Sequence, residues 1–427
     1  MLQLTGSTRR YDWGSAAVIP TFLGTEPDGQ PVAEVWFGAH PSAPALAVEP
    51  APTAGPARAA SPLDAVVAAD PETILGASVA ASCGGRLPYL VKLLAAERPL
   101  SLQVHPTPEQ ARAGRAGEIA RGVPEHERSF TDDGAKPETL VALAPMRALA
   151  GFRPAAEVAA DLRRLDVPGL SGVVATLTGE GTEPERLQAA FRATLELPLT
   201  SVVAALTALD VVAPRPASSA SGAVEDAATP RLGTDSLEVA REILGFYPGD
   251  AGVLATVFLN AVDLAPGEAL DVGAGVVHCY VRGFGLEVMA SSDNVLRAGL
   301  TSKRVDVPVL MDLVDFTPAP ARVLAPEPQD VAGDGALVAV HYATAAREYD
   351  LTILTVDATA ARAVGGASGP RLVVVLDGAL VLGPAAAPGS PAGRGAVASR
   401  GAAFLVPDGE VVEVRGQGRL ALVSVPA

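Results

Sequence analysis

Apolar and polar residues alternate along Leu100-Ser101-Leu102-Gln103-Val104-His105-Pro106. In an extended chain alternate residues share a face, so Ser101, Gln103 and His105 point one way and Leu102 and Val104 the other. Same-face neighbours lie roughly 6–7 Å apart, a spacing at which a Gln oxygen and a His nitrogen grip one metal ion. The pattern equally describes a half-buried strand with an incidental His. Pro106 has no N–H to give and ends the strand. Thr107-Pro108-Glu109-Gln110 then predicts a helix over 108–121. Thr107 is its N-cap, Pro108 its first residue, and Gln110 closes a capping box.

The same patterning divides the rest of the chain. Ala33–Pro41, Leu87–Leu94 and Lys136–Leu143 read as strands, the second a buried one carrying Lys92. In the third, Lys136 and Glu138 share a face. Residues 61–81 read as one helix, with Pro/Ala-rich loop at 44–60 and polar loop at 122–135, where His126 is solvated. From Pro154 to Val212 the period is helical, with helices at 156–165, 184–195 and 201–209. Residues 213–231 read as a mobile loop, followed by a helix from Asp235 to Ile243. Strand patterning returns at Val253. It gives a strand–turn–strand over 264–273, a piece at 275–280 and another at 285–290. Residues 291–304 are polar, and 305–314 helical. Short strands separated by Gly/Pro turns fill 320–427 (372–376, 379–382, 402–406, 411–414 and 420–425) and predict a sandwich or barrel.

Composition narrows the function classes. The 427-residue chain carries a formal net charge of −16 and has no basic run, which argues against nucleic acid or anionic lipid as partner. Cys83 and Cys279 are the only cysteines, so no disulfide framework or cysteine zinc site is expected. The first residues lack the charged-then-apolar pattern of a signal peptide, and no apolar run is long enough to span a bilayer; a cytoplasmic location is expected. Only three lysines occur, Lys92, Lys136 and Lys303, and only two asparagines. A lysine that survives such a bias sits where a compact ammonium is needed and a guanidinium does not serve.

Pro266-Gly267-Glu268 followed by His278 has the look of a cupin half-motif. If residues 1–150 and 250–320 close into one barrel, Gln103, His105, Glu138 and His278 converge. Two imidazoles, one carboxylate and one amide oxygen suit Zn²⁺ or a similar ion. Cys279 points away from His278 in an extended chain. His40 and His341 read as structural rather than ligating.

Four segments carry a family resemblance: AEVWFGAHP at 33–41, LPYLVKLLAAERPLSLQVHPTPE at 87–109, KPETLVAL at 136–143, and the stretch 247–303 with YPGDAGVLATVFLN, PGEALDVGAGVVHCY and LEVMASSDNVLRAGLTSK. Together they resemble the type I phosphomannose isomerases of the cupin superfamily. The resemblance implies a mainly β protein with a helical insertion. A cupin-type jelly-roll barrel would come from 1–152 and 249–320, the helical domain from 153–248, and a second cupin-like barrel from 321–427. It implies one zinc per chain on Gln103, His105, Glu138 and His278, and interconversion of mannose 6-phosphate and fructose 6-phosphate through an enediol. The family's active-site arginine falls on Arg297 and its pocket lysines on Lys92, Lys136 and Lys303.

Within that reading Glu287, on an apolar strand that raises its pKa, is the first candidate for general base. Asp293 or Lys136 serves ring opening. Ser101 and Lys303 contact phosphate, Trp13 walls the pocket, and Glu34 is a further substrate-binding residue. The expected partner is a small phosphorylated sugar, and the chain is expected to be a monomer. Two positions depart from the family: Ala135 stands where His or Asn usually precedes Lys-Pro-Glu, and Val277 where some members have proline before the second His ligand. Three rival readings stay open: an isomerase of unphosphorylated aldoses, a non-catalytic sugar-binding cupin, and a cupin dioxygenase, the last disfavoured by a Gln ligand.

Overall fold

The structure is a computed structural model that describes residues 1–48, 59–212, 235–364, 366, 368–385 and 395–426. The expected loop at 213–231 and most of that at 44–60 lie outside the described residues. The fold is mainly β, with five α-helices between residues 155 and 244 gathered in one block.

Two antiparallel arms share one strand. Across the first arm run Val323–Leu324, Ala269–Val272, Glu138–Ala142, His278–Ala290, Tyr89–Ala96, Glu34–Phe37 and Ser7–Arg9. The second arm orders Leu259–Leu264, Met146–Phe152, the start of His278–Ala290, Leu102–Val104 and Leu296–Gly299. Among the described residues the ladders do not return to their starting strand, so the expected closed barrel is an open two-armed sheet that wraps a core.

The period-2 alternation assigns each face. On the first arm Val35, Phe37, Val91, Leu93, Leu286 and Val288 face the C-terminal sheet and build one core with it. The opposite face carries Glu34, Lys92, Glu138 and Glu287, with apolar residues such as Leu94 and Leu140 beside them. On the second arm Leu102, Val104, Cys279 and Leu296 face the helical block. Its helices, Ala155–Arg164, Ser171–Thr178, Glu183–Leu195, Leu199–Val211 and Ser236–Leu244, cover that side. No single helix among the described residues is long and apolar enough to cross a membrane.

Several elements differ from expectation. The helix expected over 61–81 is three short helices, because Asp70 caps a new start at Pro71 and Gly76 takes φ +82°. Residues 252–258 are helical turns, and the strand begins at Leu259. The pieces at 275–280 and 285–290 are parts of one strand, His278–Ala290. Likewise Arg371–Pro384 and Val412–Ser424 each merge two expected strands, and Asp350–Val364 is a long strand beside them. Leu296–Gly299 is a strand inside the stretch read as polar, 291–304. Leu2–Thr5, at the start of the stretch assigned to the first barrel, pairs with Ala403–Val406 and with Leu46–Val48, in the C-terminal sheet.

The His278–Ala290 strand turns from one arm to the other within its length. Between Tyr280 and Arg282 its register against Met146–Phe152 slips, so an extra residue stands there. Such a bulge reverses which residues face inward. His278 and Tyr280 face the interior before it; Gly285, Glu287 and Met289 face the interior after it. Gly283 follows at φ +126°, and a Cβ there would lie 2.6 Å from the Cα of Met146. Gly283→Ala therefore adds backbone strain and a clash with main chain. Unfolding by denaturant should report a loss of at least about 2 kcal/mol; an unchanged midpoint would show that the corner does not need glycine.

Candidate active site

The interior charged residues occupy neighbouring rows of the two arms. On the second arm, Gln103 is the direct partner of both His278 and Arg297. Directly paired residues share a face, which puts His278, Gln103 and Arg297 in one line across three strands. On the first arm, Lys92 is the partner of Trp36 on one side and of Glu287 on the other. Glu138 opens the neighbouring strand, opposite Met289.

His105, Glu138 and His278 are all buried, and their ligand atoms lie within 4.8 Å of one another. Nε2 of His105 is 3.3 Å from Oε1 of Glu138, and Nε2 of His278 is 3.3 Å from Oε2. Zinc bonds of ~2.0–2.1 Å in a tetrahedral array put adjacent donor atoms roughly 3.3–3.4 Å apart, so the spacing fits. The tautomers fit as well. Nδ1 of His105 donates to the carbonyl of Asn294 at 2.7 Å, and Nδ1 of His278 to that of Val276 at 3.0 Å. Each Nε2 then carries a lone pair toward Glu138. Nε2 of His105 is buried with no hydrogen-bond partner, the state expected of a ligand nitrogen. Gln103 lines the same inner pocket as Glu138 and His278.

That pocket measures about 60 Å³, and Glu34, Lys92, Lys136, Tyr280 and Glu287 also line it. Lys92 Nζ donates to Glu287 Oε2 at 2.9 Å and lies 3.6 Å from Glu34 Oε1. Trp36 Nε1 donates to Glu34 at 2.8 Å, and the ammonium sits 5.1 Å from the Trp36 ring centre. Lys136 pairs with Glu138. Three carboxylates thus face two ammonium groups and two imidazoles.

Burial opposes charge on His105, Glu138, Lys92 and Glu287, and their neighbours add to it or outweigh it. Burial pushes the His105 imidazole down to about 4, helped by Lys136, so it is neutral at pH 7 and able to ligate. Burial also works against ionised Glu138, but Lys136 and the two imidazoles outweigh it and hold the carboxyl well below its ordinary range. Lys92 is raised: burial lowers it, while Glu287, Glu34 and Glu138 more than compensate. Glu287 moves up, because burial and the carboxylates of Glu138 and Glu34 exceed the pull of Lys92 and Lys136.

The pocket adjoins a cleft of about 1320 Å³. Trp13, Glu34, Lys92, Ser101, Gln103, Lys136, Asp293, Arg297 and Lys303 all line it. Every sequence-selected residue therefore borders one of the two spaces, except His105, which lies wholly buried behind them. Burial lowers Arg297, and Arg297 in turn lowers Lys303. Neither cation has a carboxylate partner among the described residues. His40 does not join the metal cluster; its Nε2 lies 3.4 Å from Asp293, and Nδ1 meets Ser42. His126 is exposed, as expected, but on the rim of the cleft.

Three residues were not singled out from the sequence. Tyr280 places a buried, unpartnered hydroxyl on the inner pocket. Asp132 and Asn294 knit the loop before Lys136 to the segment around Asp293. The rarity of asparagine was the available signal for the last.

The family description "Phosphomannose isomerase type I, catalytic domain" matches residues 1–155. The chain is 36% identical to the mannose-6-phosphate isomerase of Escherichia coli over 331 residues, covering 77% of this chain and 78% of that protein. It is 30% identical to the human enzyme of the same name over 338 residues, 75% of this chain and 74% of that one. Among solved structures, a point mutant of phosphomannose isomerase from Salmonella typhimurium superposes with a TM-score of 0.82 at 30% identity, covering 100% of both chains. A zinc-bound mannose 6-phosphate isomerase superposes with a TM-score of 0.81 at 30% identity, covering 100% of this chain and 99% of that one. The chain belongs to the type I mannose-6-phosphate isomerases, a family of aldose–ketose isomerases.

Proposed function

We propose that the chain interconverts mannose 6-phosphate and fructose 6-phosphate by moving a proton between C2 and C1 through an enediol. The observation that carries this reading is the bare Nε2 of buried His105, set with Glu138 and His278 beside Glu287, next to a cleft that Arg297 and Lys303 line. The chemistry supplied by a zinc ion held on Gln103, His105, Glu138 and His278 is Lewis-acid stabilisation of the charge that develops on O1 and O2.

The chain's own groups do the rest. Glu287 takes the C2 proton; its raised pKa brings its conjugate acid closer to the working range of a general acid–base. Lys92, pinned by Glu287, Glu34 and the Trp36 ring, fixes the direction of that carboxylate. Asp293 and Lys136 exchange protons with the anomeric hydroxyl and ring oxygen during ring opening. Arg297, in line with Gln103 and His278, balances negative charge near the reacting carbons. Lys303 and Ser101 hold the phosphate, whose negative charge relieves the repulsion between Lys303 and Arg297. Trp13 walls the cleft. On this reading the partner is a small phosphorylated sugar, and the protein acts as a monomer.

The test is a coupled isomerase assay before and after chelation. Activity on mannose 6-phosphate should vanish with the metal and return when zinc is added back, with mannose itself a far poorer substrate. Activity untouched by a chelator that has removed all metal would end the metal-dependent reading. Equal turnover of mannose would favour an isomerase of unphosphorylated aldoses.

A further inference from the structure

The chain has two asparagines, Asn260 and Asn294. Each carboxamide ties down irregular backbone. Asn260 Nδ2 donates to the carbonyls of Ala150 at 3.0 Å and Ala319 at 2.8 Å, on the edge strand of the second arm, and lines neither the inner pocket nor the cleft. Asn294 is wholly buried and does more. Its Oδ1 accepts from the backbone N–H of Thr131 at 2.8 Å and of Asp132 at 3.3 Å. Its Nδ2 donates to the carbonyls of Asp132 at 2.9 Å and Gly134 at 2.8 Å. Asp132 returns the contact: its carboxylate accepts from Ser292 Oγ and from the N–H of Asp293, both at 2.9 Å. The two segments clasp each other.

What the clasp joins is the metal cluster. Residues 131–136 have no ladder partner and lead straight into Lys136 and Glu138. The backbone carbonyl of Asn294 is the acceptor that fixes the tautomer of His105. One residue thus sets the approach of the carboxylate through its side chain and the orientation of an imidazole through its main chain. Only a carboxamide offers an acceptor and two donors on one planar group. Aspartate would lose the donors and add charge next to Asp132, and alanine would take a hydrogen-bond partner from four backbone groups of the loop.

We propose that Asn294 and Asp132 are positioning residues that set the metal affinity of the site, by holding Glu138 and His105 in register with each other. This rests on the metal reading given above. Partners that orient metal ligands are worth roughly tenfold to a hundredfold in affinity.

The experiment measures zinc affinity of the full chain by competition with a chromophoric chelator, for wild type, Asn294→Ala, Asp132→Asn and Asn260→Ala. It adds ¹⁵N NMR of the metal-free protein, which reads the His105 tautomer directly. Asn294→Ala and Asp132→Asn should weaken zinc by about tenfold to a hundredfold, with His105 losing its single tautomer. Asn260→Ala, a clasp of the same chemistry elsewhere, should lower thermal stability and leave zinc affinity alone. The inference is overturned if Asp132→Asn, the gentler change, holds zinc within twofold of wild type, or if Asn260→Ala weakens zinc as much as the other two. A wild-type chain that binds no zinc would instead overturn the metal reading beneath it.

Discussion

His278→Ala yields a folded protein that has lost its metal, and turnover of mannose 6-phosphate falls by about a thousandfold or more. The side chain is 2% exposed, and its Nε2 faces Glu138, not solvent. Removing it takes away one of the two imidazole donors and leaves Glu138 still paired with Lys136. The strand survives, because its ladder bonds to Gln103 and Ala150 are main chain. Elemental analysis of the purified variant beside an isomerase assay checks both halves. Full activity with bound metal would remove His278 from the ligand set.

Glu287→Gln separates proton transfer from metal binding. The amide keeps the shape and loses the base, so exchange of the C2 proton with solvent should drop by about 10²–10⁴-fold while metal content stays at the wild-type level. The sign of the pH effect is set by the environment. Burial raises Glu287, so its basic form is lost as pH falls through a value above the ordinary carboxylate range. The acid limb of the rate profile should lie correspondingly high and disappear in the variant. Isotope exchange at C2 followed by NMR measures this. Exchange at the normal rate in Glu287→Gln would assign the base elsewhere, with Glu34, Lys136 and the Tyr280 hydroxyl among the other groups on that pocket.

Local signals in the sequence proved sufficient for much of the site. The alternation at Leu102 and Val104 puts those side chains into the helical core, and Thr107 and Gln110 make both bonds of the capping box. All three lysines line the cleft, as a chain that otherwise uses arginine led one to expect. What local patterning missed depends on distant partners. Nothing near Leu2–Thr5 says that it pairs with residues some four hundred positions later. Nothing near Asn294 says that its amide meets a loop 160 residues earlier. The pieces read as separate strands at 275–280 and 285–290 were split by Gly283 and Gly285, where glycine marks a corner and a close approach within one strand.

The bulge in that strand carries a rule of counting. His278 and Glu287 are nine residues apart, an odd number, and on an unbroken strand they would face opposite sides. The one extra residue near position 281 makes the separation count as even, and both side chains reach the same pocket. Any insertion or deletion between them therefore has to come in twos. A single-residue change would keep the strand, its hydrogen bonds and the metal cluster, yet turn Glu287 into the apolar core against the C-terminal sheet. What the spacing between His278 and Glu287 has to keep is its parity, not its length.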